Sequence, residues 1–206
     1  MTKTFCHFDT IPSDLMDIIE EDLTEKFDPQ MEVSKLMGNV EQLEKRNSRN
    51  AWVPTTHWLG GLMWHYFNKA NNEFFHYDLE CIDGESMQYT QYELNQHYDW
   101  HQDEGISSLY KPQASGNRGD ERRVQDFINE KAEKVRKLSC SLQLSDEEDY
   151  EGGGTQVRDV DNSMVTLPKG RGSLFFFDSR MQHRAMTVHK GLRKSLICWA
   201  IGPRWK

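Results

Sequence analysis

Long apolar runs are missing from this 206-residue chain. No stretch approaches the roughly 18 consecutive apolar residues that a membrane-spanning helix requires, so no membrane partner is expected. Positive charge is also in short supply. Lys and Arg number 25 against 33 Asp and Glu, a net charge of −8, and the basic footprint of a nucleic-acid-binding protein is absent. Cysteine is sparse as well. Cys6, Cys81, Cys140 and Cys198 are dispersed, forming neither a CxxC zinc pair nor a disulfide framework. Unpaired thiols in a reducing compartment, the cytoplasm, are the expectation. The opening Met1-Thr-Lys-Thr-Phe5-Cys-His-Phe-Asp9 has no apolar h-region, and no secretory leader is expected there.

What the chain does have is a change of texture near residue 85. Before it, Pro12-Ser13-Asp14 followed by Leu15, Ile18, Ile19, Leu23 and Phe27 reads as a capped amphipathic helix. A second helical pattern runs from about Leu59 to Phe75, with Leu62, Tyr66, Phe67 and Ala70 on one side, although Gly60-Gly61 weakens its start. Residues 28–57 are irregular or carry short strands. After residue 85, eight short strands are expected: Ser86–Glu93, Gln96–Asp103, Leu138–Leu144, Gly154–Val160, Met164–Leu167, Gly172–Phe177, His183–Val188 and Arg193–Ile201. Such a set suits a double-sheet jelly roll, which buries both inner faces. The chain length suits one domain, residues 1–206. About 1–84 would give helical N-terminal support and about 85–206 the jelly-roll core. An insertion at about 105–137 interrupts that core: a polar loop over Glu104–Asp120, then an amphipathic helix striped by Val124, Phe127, Ile128 and Val135.

Three His-x-Asp pairs occur, His76-Tyr-Asp78, His97-Tyr-Asp99 and His101-Gln-Asp103. Residues i and i+2 of a strand share a face, so each pair could chelate a metal. Positions 97, 99, 101 and 103 share parity, and alternation alone leaves the choice between the last two pairs open. Downstream lie two further histidines, His183 after the apolar run Leu174-Phe-Phe-Phe177, and His189 in a turn. Arg193 follows His183 by ten residues and heads a strand whose one face reads Arg193, Ser195, Ile197, Trp199, Ile201. An arginine on an otherwise apolar face needs an anionic partner, because a buried unpaired charge is costly.

Two histidines and a carboxylate with open positions remaining is the ligand set of non-haem Fe(II) oxygenases. The order His101, Asp103, His183, Arg193, with the aromatic lead-in Tyr98-Asp-Trp100, resembles the Fe(II)/2-oxoglutarate-dependent oxygenases, within them the prolyl 4-hydroxylase-like branch. The resemblance covers roughly residues 85 to 203. It implies a double-stranded β-helix fold and selects His101/Asp103 over His97/Asp99 and His183 over His189. It further implies Fe(II) at His101, Asp103 and His183, and 2-oxoglutarate with its distal carboxylate on Arg193. Ser195, Tyr92 and, less directly, Gln143 are candidates to assist, and ascorbate would be a supporting reductant. Asp149-Tyr150-Glu-Gly-Gly153 is similar to a segment that precedes a core strand in that family. The implied activity is hydroxylation of a prolyl residue in a protein or peptide, with succinate and CO2 as co-products. A lysyl or free small-molecule hydroxylase, or a metal-binding module without turnover, are the alternatives.

Overall fold

The computed structural model describes residues 6–34, 42–82, 87–103, 134–159 and 161–205. Apolar spacing accounts for the two α-helices among the described residues. Along α1 (Ser13–Phe27), Met16, Ile19, Leu23 and Phe27 recur every three or four residues and are all buried. Each such side chain removed from water contributes roughly 1.5–3 kcal/mol before entropy is charged against it. The N-cap position belongs to Pro12, and no side chain caps the helix. Ser13, expected to supply that cap, is instead the first helical residue and its hydroxyl donates to Asp14.

Helix α2 (Trp58–Ala70) buries Leu59, Gly60, Met63, Phe67 and Ala70, and a turn of π-helix over Asn71–Phe75 carries it to the expected end. Gly60 is demanded by a close approach: a Cβ there would lie 2.1 Å from the Thr55 carbonyl oxygen.

The strands are β1 (Cys6–Thr10), β2 (Glu32–Val33), β3 (Arg46–Asn47), β4 (Arg49–Val53), β5 (Cys81–Ile82), β6 (Met87–Tyr92), β7 (His97–His101), β8 (Lys134–Gln143), β9 (Tyr150–Gly152), β10 (Thr155–Arg158), β11 (Met164–Thr166), β12 (Ser173–Asp178), β13 (His183–Ala185), β14 (Val188–Gly191) and β15 (Arg193–Pro203). A major sheet runs β1-β12-β8-β15-β6-β4-β2, with β5 attached to β15. A minor sheet runs β11-β10-β13-β7-β3, and β14 pairs with β9 alone. All pairings are antiparallel.

Alternation gives the major sheet two unlike faces. Leu138, Cys140 and Leu142 of β8 share one with Leu196, Cys198 and Ala200 of β15 and with Leu174 and Phe176 of β12; these join the residues of α1 and α2 in one core. Cys140 and Cys198, paired across strands, are free thiols there, and burial pushes both up. Their neighbours Ser139, Ser141, Gln143, Ser195, Thr90 and Gln88 point the other way, toward the minor sheet, and are buried polar groups. The enclosed face thus carries both a small apolar cluster, in which Phe175 and Phe177 pack with Val157 and Leu167, and a set of buried polar groups of the kind that lines a reaction chamber.

Three departures from the sequence reading have local causes. The N-terminal segment contributes an unexpected strand, β1, at the edge of the major sheet, while the short strands allowed within 28–57 form as β2, β3 and β4, with β4 in the major sheet and β3 in the minor one. The expected helix ending with Val135 lies largely outside the described residues, but Lys134–Lys137 are the start of β8, where β15 supplies the pairing that a helix would forgo. Between Ala200 and Ile201 the register shifts, so the alternation that put Ile201 on the Arg193 face is broken before it reaches that residue.

Candidate active site

A bulge settles the parity problem of the His-x-Asp pairs. Strand β13 pairs with β7 through His183↔His101 and Ala185↔Tyr98, two residues on one strand against three on the other. Alternation is therefore reset within Asp99–Trp100. Tyr98 and His101 end up on the same side, their rings stacked at 3.5 Å. His97 is turned away, with its Nε2 against the Glu44 carbonyl at 3.0 Å, and Asp99 is exposed. His189, on β14, is exposed as well.

His101, Asp103 and His183 converge, each offering a ligand atom within 4.8 Å of the others. The His183 Nε2 lies 3.5 Å from one Asp103 carboxylate oxygen, and the His101 Nε2 3.9 Å from the other. Both imidazoles are oriented from behind. The His101 Nδ1 bonds the Asp99 carbonyl at 2.8 Å and the His183 Nδ1 bonds the Met181 carbonyl at 3.0 Å. With Nδ1 carrying the proton for those bonds, each Nε2 lone pair faces the cluster, the tautomer that a metal ligand requires.

Asp103 is fixed by its own amide on the Ser179 carbonyl, 3.0 Å, and by the Ser139 hydroxyl donating to its carboxylate at 2.6 Å. Burial would raise the Asp103 pKa, but the interactions around it, the Arg136 charge and the Ser139 bond among them, lower it and hold the group ionised. Burial, helped by His183, lowers His101 to about 3 and keeps it neutral. A carboxylate and a neutral imidazole are the forms that bind a divalent cation. Sequence reasoning did not find Ser139. It sits in an apolar strand, where serine has no signature until its cross-strand neighbours are known.

Arg193 is buried on the same inner face, at 2% exposure. Its Nε donates to the Gln143 side chain at 3.2 Å and one Nη to the Thr155 hydroxyl at 3.0 Å, while the Tyr92 ring lies 5.2 Å from the guanidinium carbon. Tyr92 pairs directly with Arg193 across the strands. Burial raises the Tyr150 phenol and the adjacent Arg193 pulls it the other way, yet this hydroxyl completes no hydrogen bond of good geometry. The Ser195 and Thr90 hydroxyls, paired in register, are also buried without a partner. Around Arg193, then, lie unused polar groups that water or a ligand must satisfy. Tyr150 and Thr155 were missed as members of this group; only the Tyr150 segment was noted in the sequence. Trp199 pairs with Ser139, next to the three-residue cluster, and carries Arg136 over its ring at 4.0 Å.

The 2OG-Fe(II) oxygenase superfamily matches residues 87–201, more than half of the chain. A PKHD-type hydroxylase of Aliarcobacter butzleri (strain RM4018) is 36% identical over 95 residues, which are 44% of this chain and 41% of that protein. The match thus spans about two fifths of that relative's length. Among solved structures, a Pseudomonas putida prolyl-4-hydroxylase aligns with TM-score 0.64 at 17% identity, over 99% of this chain and 95% of its own. A Trichoplax adhaerens prolyl hydroxylase in complex with a hypoxia inducible factor oxygen degradation domain peptide fragment aligns with TM-score 0.71 at 13% identity, over 96% and 84%. At such identities these likenesses establish the fold, that of the 2-oxoglutarate oxygenase jelly roll. With the sequence match extending over most of the core strands, the chain belongs to the 2OG-Fe(II) oxygenase superfamily.

Proposed function

We propose that the chain is an Fe(II)- and 2-oxoglutarate-dependent dioxygenase that hydroxylates a prolyl residue of a protein or peptide, acting as one catalytic domain whose helices back the major sheet. The observation that carries this reading is the placement of His101, Asp103 and His183 within one chamber with Arg193 and its unused polar neighbours. The two Nε2 atoms and the Asp103 carboxylate would hold Fe(II) and leave positions on the metal for small molecules. The metal supplies the chemistry of O2 activation, which no side chain provides.

Arg193 would take the distal carboxylate of 2-oxoglutarate. Gln143 and Thr155 consume two of its five donors and orient the fork, which leaves the others for a charge-assisted, bidentate pair. Ser195, Thr90 and Tyr150 offer hydroxyls to the same anion, and the Tyr92 ring braces the guanidinium. The overall reaction balances as C–H plus O2 plus 2-oxoglutarate giving C–OH, succinate and CO2. Ascorbate enters only as an external reductant that keeps the iron ferrous.

A prolyl substrate is favoured by the aromatic lead-in to His101 and by the prolyl hydroxylases among the structural neighbours, one of which holds a peptide. The test is mass spectrometry of prolyl peptides incubated with Fe(II)-loaded protein, 2-oxoglutarate and O2. Gain of one oxygen atom on proline, matched by succinate, supports the reading. Succinate release coupled only to oxidation of non-prolyl compounds would overturn it.

A further inference from the structure

Arg46 is a second buried guanidinium in the chamber, apart from both the metal-ligand candidates and the Arg193 group. It lies on β3, opposite Tyr98, and is 8% exposed. Its fork lies over the Tyr98 ring at 4.6 Å, and that ring stacks on the metal-ligand candidate His101. Its charge is felt at both: it opposes the burial that pushes Tyr98 up to about 12, and it contributes to lowering His101. Arg46 therefore stands one aromatic ring away from the reacting centre.

The side chain is also held in place. Its Nε donates to the Ser48 hydroxyl at 3.2 Å, and Ser48 in turn donates to Ser34 at 2.7 Å, all three residues buried. The two terminal amino groups make no hydrogen bond to a described residue, and among the described residues no carboxylate pairs with Arg46. A cation over an aromatic face recovers part of the cost of burying a charge, but less than a carboxylate would. A planar fork pinned through Nε, with both terminal nitrogens unspent, has the geometry for a bidentate carboxylate.

We propose that Arg46 is a substrate-binding residue and that the substrate is an acid, carrying a carboxylate close to the C–H bond that is hydroxylated. Arg193 and Arg46 divide the anions between them: the first takes the co-substrate and the second the substrate. The carboxylate belongs either to an acidic residue beside the target residue of a peptide or to a free carboxylic acid. The proposal rests on the dioxygenase reading, while its choice of acid is independent of whether the target is prolyl.

The probes are prolyl peptides with Asp, Glu, Asn, Gln, Lys or Ala on either side of proline, together with free proline, pipecolate and prolinamide. Oxygen gain is read by mass spectrometry for the wild type, Arg46→Gln and Arg46→Lys, and 2-oxoglutarate dependence of succinate release is measured without substrate. Oxidation should favour Asp and Glu peptides over their amides, or the free acids over prolinamide. Loss of the charge-assisted pair in Arg46→Gln should reduce that preference on the order of tenfold or more. Arg46→Lys should recover only part of it, and co-substrate dependence should stay unchanged in all three proteins.

Oxidation of neutral peptides without acidic preference would overturn the acid assignment and leave the prolyl reading standing. Oxidation of free acids alone would do the reverse. An unaltered preference in Arg46→Gln, a raised 2-oxoglutarate requirement in that variant, or no product from any acid would each overturn the role given to Arg46.

Discussion

Arg193 offers the sharpest quantitative expectation. It is nearly inaccessible, and its fork is already aimed by Gln143 and Thr155. Replacing it by alanine leaves a dicarboxylate with one end unpaired in a partly dry chamber. Breaking a buried pair from one side costs about 3–5 kcal/mol, which is two to three or more powers of ten in Kd. At 2-oxoglutarate a hundredfold above its wild-type Kd, ligand binding should stabilise the metal-loaded wild type by about 2.7 kcal/mol. For a chain of this size that corresponds to roughly 5–10 °C in Tm. With Kd raised about a thousandfold, the same concentration stabilises Arg193→Ala by less than about 0.1 kcal/mol, which no melting experiment resolves. Arg193→Lys should recover little, because an ammonium is a point charge without the fork. The assay is a melting curve under anaerobic Fe(II), with and without 2-oxoglutarate, beside a metal titration of the same variant. Metal affinity should be unchanged. A 2-oxoglutarate-induced shift in Arg193→Ala equal to that of wild type would refute the assignment of the anion site.

Ser139→Ala removes the donor that holds the Asp103 carboxylate, and should weaken Fe(II) affinity about 10- to 100-fold, with Ser139→Thr restoring most of it in the same titration. Gly60→Ala forces a Cβ onto the Thr55 carbonyl and should cost about 1–3 kcal/mol in denaturant unfolding. Gly61→Ala meets open space and should be neutral or stabilise by up to about 1 kcal/mol in the same experiment. Asp178 is buried, which would raise its pKa, but bonds from Arg180 and Tyr77 hold it below the usual carboxylate range. Its contribution is therefore complete above the unfolded value of about 3.9 and is lost as pH falls through the lower folded one. The stability gap between wild type and Asp178→Asn should be constant near neutrality and close below about pH 4.

Strands with a half-buried alternating pattern were legible in the sequence, and so were the candidate site residues carried on them. Arg193, Ser195 and Trp199 read as one face because β15 is regular that far. The distinction between His97 and His101 was not legible from alternation. It depends on a bulge, which adds a residue without leaving a periodic trace. Strand β1 escaped notice because an edge strand alternating Phe8 with Asp9 and Thr10 resembles any polar terminus until β12 pairs with it. Arg46 lay in a segment without periodicity, and its proximity to His101 comes entirely from β3 joining the minor sheet beside β7. Tyr150, on the β9–β14 pair, and Thr155, on the minor sheet, likewise meet Arg193 of the major sheet only through tertiary packing.

Whether Fe(II) sits at His101, Asp103 and His183 is decided by anaerobic titration of Fe(II), followed by the visible absorption that appears when 2-oxoglutarate joins the bound metal. Wild type and His97→Ala should bind one equivalent and develop the same absorption, whereas His101→Ala should do neither. Retention of both signals in His101→Ala, with their loss in His97→Ala, would move the metal from His101 to His97.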